Sequence, residues 1–278
     1  MKLSSSPFVR HETNLTIEKV ERPAIQTLVT EYQGSLPFPG DNFIPDLLSG
    51  SDLFRIQSPD LLPAGFFAIQ DRNSLTALYL RGAFRHLERE MFEEILTRFS
   101  IQRGFIRTFD HHSLPLFLEY QRKCEPQAYQ FQLDPATVRP LPRPDIRLKL
   151  ADRSDLPFLE QMSFLPNSAG YVRRQEAWIA RDDSGQSVGI GIIQPHQSFD
   201  RYMDIGMFTC PSVRRQGIGR TILLQLIQLV LQSGRIPVAG CYYQNHLSRR
   251  TLESAGMTCV GAIFRFYFKR PAESPDRR

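Results

Sequence analysis

The chain is 278 residues long, 41% hydrophobic and 23% charged, which is typical of a globular protein with a sizeable core rather than of a disordered chain. The net charge of +5 is modest for 34 basic residues, and no basic run is interleaved with aromatic residues, so nucleic-acid binding is not expected. A mildly basic balance suits an anionic ligand instead.

The four cysteines are spread along the chain without CxxC spacing, so we expect free thiols and no metal site. No signal peptide is recognisable at the start of the sequence, and the longest apolar run, residues 221–231, is too short to cross a bilayer. We therefore expect a cytoplasmic protein without a membrane partner.

The first part of the chain predicts an α+β unit with an antiparallel sheet. A polar turn at residues 71–74 is expected to join two of its strands into a hairpin. The expected elements are a helix over residues 18–32, strands over 53–57, 65–70 and 75–81, a helix over 86–99, a strand over 105–109, a helix over 113–121 and a strand over 129–133.

Three prolines at every second position, Pro140, Pro142 and Pro144, enforce a stiff extended segment. We place the domain boundary there, which divides the chain into a domain of residues 1–139 and a domain of residues 140–278.

The second domain predicts a similar order of elements. It begins with a strand over residues 146–150, a helix capped by residues 152–155 and a loop over 166–171. The remaining elements are strands over 177–181, 188–195 and 203–210, a helix over 217–232, a strand over 236–243, a helix over 247–255 and a strand over 257–269. The fold class is therefore α+β, with a mixed, mostly antiparallel sheet flanked by helices, and the similar order of elements suggests an internal duplication.

A basic turn with two glycines lies between the strand that ends near Cys210 and the helix that begins at Gly217. Free backbone N–H groups and the positive end of the helix dipole meet at such a helix start, which favours an anion there. Glycine lets the backbone approach a phosphate closely, because no Cβ intervenes. The sequence therefore predicts a phosphate-binding turn at residues 214–220.

The second domain resembles the GNAT superfamily of acyl-CoA-dependent N-acyltransferases. Residues 214–219 fit the pyrophosphate turn of that family, Arg/Gln-x-x-Gly-x-Gly/Ala. A second family signature, Asn-x-x-Ala/Ser-x-x-x-Tyr-Glu-x-x-Gly-Phe, is matched downstream by Asn245, Ser248, Glu253 and Gly256. The first domain is expected to be a degenerate GNAT-like copy, which makes the fold a tandem.

The resemblance implies that acetyl-CoA is the co-substrate. Its pyrophosphate is expected on the turn, its pantetheine arm beside the backbone of the preceding strand, and its thioester in a gap where two strands splay apart. The expected cofactor-binding residues are Phe208, Thr209, Arg214, Arg215, Gln216, Gly217, Ile218, Gly219, Arg220 and Asn245.

Acylation of an amine needs a base for the ammonium proton and an acid for the leaving thiolate. Asp204 lies on an otherwise apolar strand, near the position of a catalytic Glu in some GNAT proteins, and is our candidate base; a solvated strand-end carboxylate is the alternative. Leu252 stands where the family has a Tyr acid, so Tyr243 is the candidate acid, with water as a second proton source.

Other residues are open alternatives in the acceptor region. His196 and His246 are further candidates to act as bases or to contact the cofactor. Alternate residues of the strand end at 264–268, with Phe164 and Tyr171, are candidates to line the acceptor pocket.

We therefore expect an N-acetyltransferase that transfers acetyl from acetyl-CoA to the primary amine of a small molecule or peptide by direct attack. Leu252 motivates one alternative, a CoA-binding sensor or pseudoenzyme. The small residues Ala239 and Gly240 motivate another, transfer of a longer acyl chain. The sequence indicates neither the acceptor nor the oligomeric state.

Overall fold

One mixed sheet runs through the protein in a computed structural model that describes residues 15–133, 140–161, 165 and 167–269. Helices cover both of its faces, as neighbouring residues on one strand show. Phe66 and Ala68 pack with helix residues 28–32, whereas Phe67 and Ile69 pack on the opposite face with residues 91–96. Successive strand residues point to opposite faces, so these consecutive apolar residues are all buried.

We call the elements up to residue 133 the N-terminal unit. They are β1 (Thr16–Val20), α1 (Gln26–Ser35), α2 (Phe43–Ser49), β2 (Asp52–Gln57), β3 (Pro63–Gln70), β4 (Ser74–Leu80), α3 (Glu88–Arg98), β5 (Arg103–Arg107), α4 (Leu114–Tyr120) and β6 (Gln121–Leu133). Short 3₁₀ helices precede α1 and α3, at Arg22–Ile25 and Gly82–Leu87.

The elements from residue 147 onward form the C-terminal unit. They are β7 (Arg147–Leu150), α5 (Leu156–Glu160), α6 (Ser168–Arg173), β8 (Ala177–Arg181), β9 (Ser187–Pro195), β10 (Tyr202–Thr209), α7 (Ile218–Gln232), β11 (Ile236–Tyr242), α8 (His246–Ser254) and β12 (Met257–Phe268). Short 3₁₀ helices lie at Arg153–Asp155 and Pro211–Val213.

The two units have the same order of strands and α-helices, and their last strands change places. The sheet order is β1-β2-β3-β4-β5-β12-β6-β11-β10-β9-β8-β7. Strand β12 of the C-terminal unit therefore pairs with β5 of the N-terminal unit, and β6 pairs with β11. Both exchanged pairings are antiparallel, and β6 and β12 also pair with each other along their length.

The exchange carries apolar side chains into the core of the other unit. Phe266 and Phe268 of β12 pack with the N-terminal core under α3 and α4. Phe131 and Leu133 of β6 pack with the C-terminal core under α7. Phe131 and Phe266 are almost completely buried, and removing such a side chain costs about 3–5 kcal/mol. The two units are thus joined by their cores as well as by their sheet.

Most predicted elements are confirmed, but three segments differ. Residues 43–49 form helix α2, where no element was predicted. Residues 16–20 form a strand paired with β2, not the start of a helix, and the helix begins at residue 26. Helix α6 begins at Ser168 inside the predicted loop at 166–171 and runs on to Arg173, and its N-cap Asn167 accepts a hydrogen bond from the N–H of Gly170 at 3.2 Å. With β1 included, the N-terminal unit repeats the order of the C-terminal unit in full.

The predicted domain boundary stays a prediction, because residues 134–139 lie outside the described residues. The predicted cap of the next helix is confirmed. The carboxylate of Asp152 accepts from the N–H of Ser154 at 2.8 Å, and Asp155 accepts from the N–H of Asp152 at 3.1 Å.

The parallel strands β10 and β11 pair over only three residues of each strand. Their register runs from Tyr202 opposite Ile236 to Asp204 opposite Val238, and the strands diverge beyond it. On its other side β10 stays paired with β9 as far as Thr209. A gap therefore opens between residues 205–209 of β10 and residues 239–242 of β11.

Candidate active site

A cleft of about 530 Å³ lies where β10, the start of α7 and one side of α8 meet. Four arginines and no acidic residue line it, so its potential is positive. The lining residues are Met207, Phe208, Thr209, Arg214, Arg215, Gly217, Ile218, Gly219, Arg220, Asn245, Leu247, Ser248, Arg250, Thr251 and Ser254.

The turn before α7 presents backbone rather than side chains to this cleft. Gly217 is the N-cap residue, with φ +81° and no side-chain cap, in a left-handed conformation that suits glycine. A Cβ on Gly219 would lie 3.0 Å from Oγ1 of Thr209 and 3.2 Å from the sulfur of Met207. The glycines thus let the helix start lie directly against the end of β10, which leaves its N–H groups facing the cleft.

Arginine side chains add positive charge around this helix start. The Nε of Arg220 is buried and has no hydrogen-bond partner among the described residues. Arg214 donates from Nε to the carbonyl of Thr209 at 3.2 Å and lies over the ring of Phe208 at 5.4 Å. A buried, unpaired guanidinium nitrogen beside an uncapped helix start is what an anionic ligand would satisfy.

Nine of the ten predicted cofactor residues line the cleft, and Gln216 does not. Gln216 is exposed, and its carbonyl accepts a hydrogen bond from Nη1 of Arg143 at 3.4 Å. The side-chain oxygen of Asn245 caps α8 by accepting from the N–H of Ser248 at 3.1 Å. Asn245 therefore shapes the cleft by fixing the start of α8.

One side of α8 was missed as a part of the cleft. Leu247, Arg250, Thr251 and Ser254 follow helical spacing, and this pattern is visible in the sequence. The pattern alone does not say which side of the helix faces the cleft. The packing of Leu252 against the α7 core decides it.

Asp204 lies at the end of the paired part of β10, where the gap begins, and it is not among the residues that line the cleft. Its Oδ2 accepts a hydrogen bond from the N–H of Asn42, in the loop before α2 of the N-terminal unit, at 2.8 Å. Desolvation, and then repulsion from the carboxylate of Asp41, raise the pKa of Asp204 well above its usual value. A raised pKa makes a carboxylate a stronger base.

The candidate acid Tyr243 follows β11 and is not among the residues that line the cleft. Its ring stacks on Tyr129 of β6, with centroids 5.0 Å apart, and it is 37% exposed. Leu252, in the position of the family's Tyr, is only 3% exposed and belongs to the core under α7. The structure thus brings neither side chain into the cleft lining.

The alternative bases and acceptor-pocket residues named from the sequence lie in different surroundings from one another. His196 is buried, and desolvation and the charge of Arg107 lower its pKa to about 4, so it is neutral near pH 7. His246 is exposed at the first position of α8. Tyr171 lies near Asp204 and Asp46. Desolvation is the main cause of the raised pKa of Tyr171, the negative charge of Glu176 is the next, and the charges of Asp46 and Asp204 add to it. Phe164 lies outside the described residues.

Within the described residues, no helix combines the length and apolar character needed to span a bilayer.

The two units share one order of elements and one sheet, which defines a tandem fold, and the family comparisons agree with it. A model described as "Acetyltransferase (GNAT) domain" matches residues 21–134, and one described as "Acetyltransferase (GNAT) family" matches residues 145–257. The chain belongs to the GNAT superfamily of acetyltransferases, as a tandem of two GNAT units. Members of this superfamily are generally acetyl-CoA-dependent.

Solved structures of similar architecture cover almost the whole chain. A GNAT-family acetyltransferase from Colwellia psychrerythraea is 20% identical and has a TM-score of 0.82, with 91% of this chain and 100% of that chain aligned. A GCN5-related N-acetyltransferase from Sphaerobacter thermophilus is 15% identical, with a TM-score of 0.61 over 91% of this chain and 96% of that chain.

A third solved structure is a tandem GNAT protein from the clavulanic acid biosynthesis pathway. It is 12% identical, with a TM-score of 0.59 over 91% of this chain and 98% of that chain. At these identities the likenesses establish the fold. Comparison of the sequence with curated proteins gives no significant match.

Proposed function

We propose that this protein is an acetyl-CoA-dependent N-acetyltransferase, whose C-terminal unit transfers an acetyl group to a primary amine by direct attack in a ternary complex. The observation that carries the proposal is the cleft at the start of α7. It combines an uncapped helix N-terminus, four arginines and no acidic lining residue, and it reaches Met207 and Phe208 in the splayed part of β10.

The residues present fit a polyanionic cofactor. Residues 217–220 would hold the pyrophosphate through backbone N–H groups, and Arg214, Arg215 and Arg220 would add charge-assisted hydrogen bonds. Arg250, across the cleft on α8, is suited to a further phosphate group. The splayed edge of β10 would pair with the amide-containing arm, in the manner of an added strand.

Bound acetyl-CoA supplies an acetyl group activated as a thioester. Asp204 lies at the start of the gap and has a raised pKa, which suits it to accept the proton of the incoming ammonium. In the transfer, a C–N bond forms and the thioester C–S bond breaks. The leaving sulfur takes its proton from water in this proposal, because Leu252 lies in the core and Tyr243 lies against Tyr129.

An acetyl group suits the gap better than a long acyl chain. Ala239 packs in the core under α7, and the carboxylate of Asp41 lies beside Gly240, so these two small residues do not widen the gap. This favours the shortest common acyl donor.

The proposal is tested first by binding and then by turnover. Acetyl-CoA at about 100 times its Kd is expected to stabilise the folded protein by about 2.7 kcal/mol, measured as a rise in Tm. Release of free thiol from acetyl-CoA is then followed with a panel of primary amines, with hydrolysis in the absence of amine as the blank. A folded protein whose Tm does not respond to acetyl-CoA contradicts the proposal.

A CoA-binding protein without transferase activity is the second candidate, favoured by the burial of Leu252. It predicts the same rise in Tm but no thiol release above the hydrolysis blank with any amine. The two measurements together therefore separate the two candidates.

A further inference from the structure

A loop of the N-terminal unit places a second carboxylate, that of Asp41, at the gap between β10 and β11. A Cβ built on Gly240 of β11 would lie 1.8 Å from Oδ2 of Asp41. The carboxylate thus occupies the space that a side chain at position 240 would fill. Gly240 belongs to the part of β11 that has no β10 partner, so Asp41 lies at the gap itself.

Asp41 is held in this position from several sides. Its N–H donates to Oε1 of Gln130 on the exchanged strand β6 at 2.8 Å, and Phe43 donates its N–H to Oδ1 of Asp41 at 3.1 Å. The side chain of Gln130 also bonds the Asp41 carboxylate, which opposes the rise in the pKa of Asp41 caused by burial. Gln130 is completely buried, so these hydrogen bonds to Asp41 are made in the interior of the protein.

The same loop connects Asp41 to Asp204 and to the neighbouring turn of the C-terminal unit. The next residue, Asn42, donates its N–H to Oδ2 of Asp204 at 2.8 Å. The side chain of Asn42 donates to the carbonyl of Pro195 at 3.0 Å and accepts from the N–H of Gln197 at 2.9 Å. The loop is therefore fixed across the interface of the two units, with one carboxylate on each side of the gap.

The charge around the gap favours a cation. In the part of the chain that the structure describes, neither Asp41 nor Asp204 forms an ion pair within 4.0 Å, and the charge of Asp46 adds to the negative potential at Asp204. Arg107 is buried in the same unit as Asp41, and its positive charge partly offsets the negative charge of that carboxylate. Two neighbouring carboxylates cost free energy when both are ionised, and the cost is relieved when they share a proton, as the raised pKa of each indicates, or when a cation joins them.

We propose that Asp41 and Asp204 together bind the ammonium group of the acceptor, so that the acceptor is a cationic aliphatic amine and the acceptor site is shared between the two units. This inference rests on the proposed acetyltransferase function. Asp204 accepts the proton that the nitrogen loses, whereas Asp41 binds the ammonium and orients it toward the gap.

Steady-state kinetics of the variants Asp41→Asn and Asp204→Asn separates ammonium binding by Asp41 from proton acceptance by Asp204. The substrates are acetyl-CoA and one of three amines, 1,4-diaminobutane, n-butylamine or aniline. Asp41→Asn is expected to raise the KM of the two aliphatic amines at least tenfold, with a smaller change in kcat and in the reaction of aniline, which is uncharged near pH 7. Asp204→Asn is expected to lower kcat at least a hundredfold. Asp60→Asn, an exposed carboxylate of the N-terminal unit, is the matched control and should behave as the unmodified protein.

Binding without turnover gives a second measurement. Calorimetric titration of 1,4-diaminobutane into the protein loaded with CoA is expected to show binding that Asp41→Asn weakens at least tenfold, while the affinity for acetyl-CoA changes less than twofold. Gly240→Ala displaces the Asp41 carboxylate without changing any charge, and it should raise the same KM values.

An unchanged KM and an unchanged diamine affinity in both folded variants would overturn this inference and leave the acetyltransferase proposal intact. Failure of the unmodified protein to bind acetyl-CoA would instead overturn the proposed function, and this inference with it.

Discussion

The two units share one architecture but differ where the helix after the splayed strand begins. In the C-terminal unit this helix, α7, starts at the uncapped Gly217 and is flanked by arginines that line the cleft. In the N-terminal unit the corresponding helix α3 starts with Glu88 and Glu90 in its first turn, and Arg85 donates to Glu88 at 2.9 Å. Acidic residues in the first turn neutralise the helix dipole and repel phosphate.

The gap between the parallel strands also differs. Strands β4 and β5 pair at only two positions, so they splay like β10 and β11. The N-terminal gap is closed by its own chain, because Oγ of Ser113 donates to the carbonyl of Leu78 at 2.7 Å and Phe117 packs against Gly104. In the C-terminal unit, Asp204, Met207 and Phe208 remain partly exposed. Among the described residues, the C-terminal copy thus has an open cleft at this helix start, whereas the N-terminal copy fills the equivalent gap with its own side chains.

Separating the two units is expected to have the largest effect. Residues 140–278 alone lack β6, which pairs with both β11 and β12, and lose Phe131 from their core. This fragment is expected to be insoluble or unfolded when expressed alone. Co-expression with residues 1–139 is expected to restore a soluble 1:1 complex that binds acetyl-CoA, measured by size-exclusion chromatography and a thermal shift. An isolated C-terminal fragment with a cooperative unfolding transition would show that the exchanged strands are dispensable.

Giving the C-terminal helix start the charge of its N-terminal counterpart is expected to have the next largest effect. Gly217→Glu places a carboxylate and a Cβ in the phosphate turn, at a residue with φ +81°. Loss of two charge-assisted hydrogen bonds, each about 1.5 kcal/mol, weakens acetyl-CoA binding at least about 100-fold by calorimetry.

The matched control is Gly234→Glu, which carries the same type of backbone strain at φ +73° but lies beyond the other end of α7. Both variants are expected to lose similar stability, and only the first should lose affinity. Equal affinity for acetyl-CoA in the two variants would mean that the turn does not bind the cofactor.

The smallest expected effect on acetyl-CoA binding comes from a substitution in α8, which precedes the exchanged strand β12 as α4 precedes β6. Helix α4 has the apolar sequence Leu-Pro-Leu-Phe-Leu-Glu-Tyr, whereas α8 carries Arg249 and Arg250. Arg250 lines the cleft and is exposed, so Arg250→Ala is expected to weaken acetyl-CoA binding about two- to fivefold at low salt, and less at high salt.

Arg249→Ala is the neighbouring control, because Arg249 lies over Tyr129 at 4.3 Å and donates to Glu253 at 2.8 Å, away from the cleft. Titrations at two salt concentrations compare the pair. A larger loss of affinity in Arg249→Ala would show that the assignment of the two faces of α8 is wrong.

Much of the fold and the glycine turn could be predicted because their signals are local. The spacing of apolar residues in α7, the Asp152 cap and the hairpin turn at 71–74 each depend on neighbours within a few positions. Strand β1 was missed because its five residues are mostly exposed and lack clear alternation, so only pairing with β2 makes it a strand. Helices α2 and α6 were missed because they are only seven and six residues long.

The candidate site was predictable on one side of the gap only. Asp204 stands out in the sequence as an acidic residue on an apolar strand. Asp41 carries no such signal, since it follows a Pro/Gly-rich loop 163 positions earlier and belongs to no motif. The face of α8 that lines the cleft depends on how Leu252 packs under α7, which is equally invisible in one dimension.

The sequence by itself determined most of the elements and the position of the glycine turn at the start of α7, because caps, glycines and apolar periodicity act over a few residues. Only the tertiary structure decided that β6 and β12 exchange units and that Asp41 lies against Gly240. Strand partners and contacts between units arise from long-range packing, where many pairings satisfy the same local pattern. The glycine turn is formed by residues of the C-terminal unit alone, whereas the gap between β10 and β11 is lined by residues of both units.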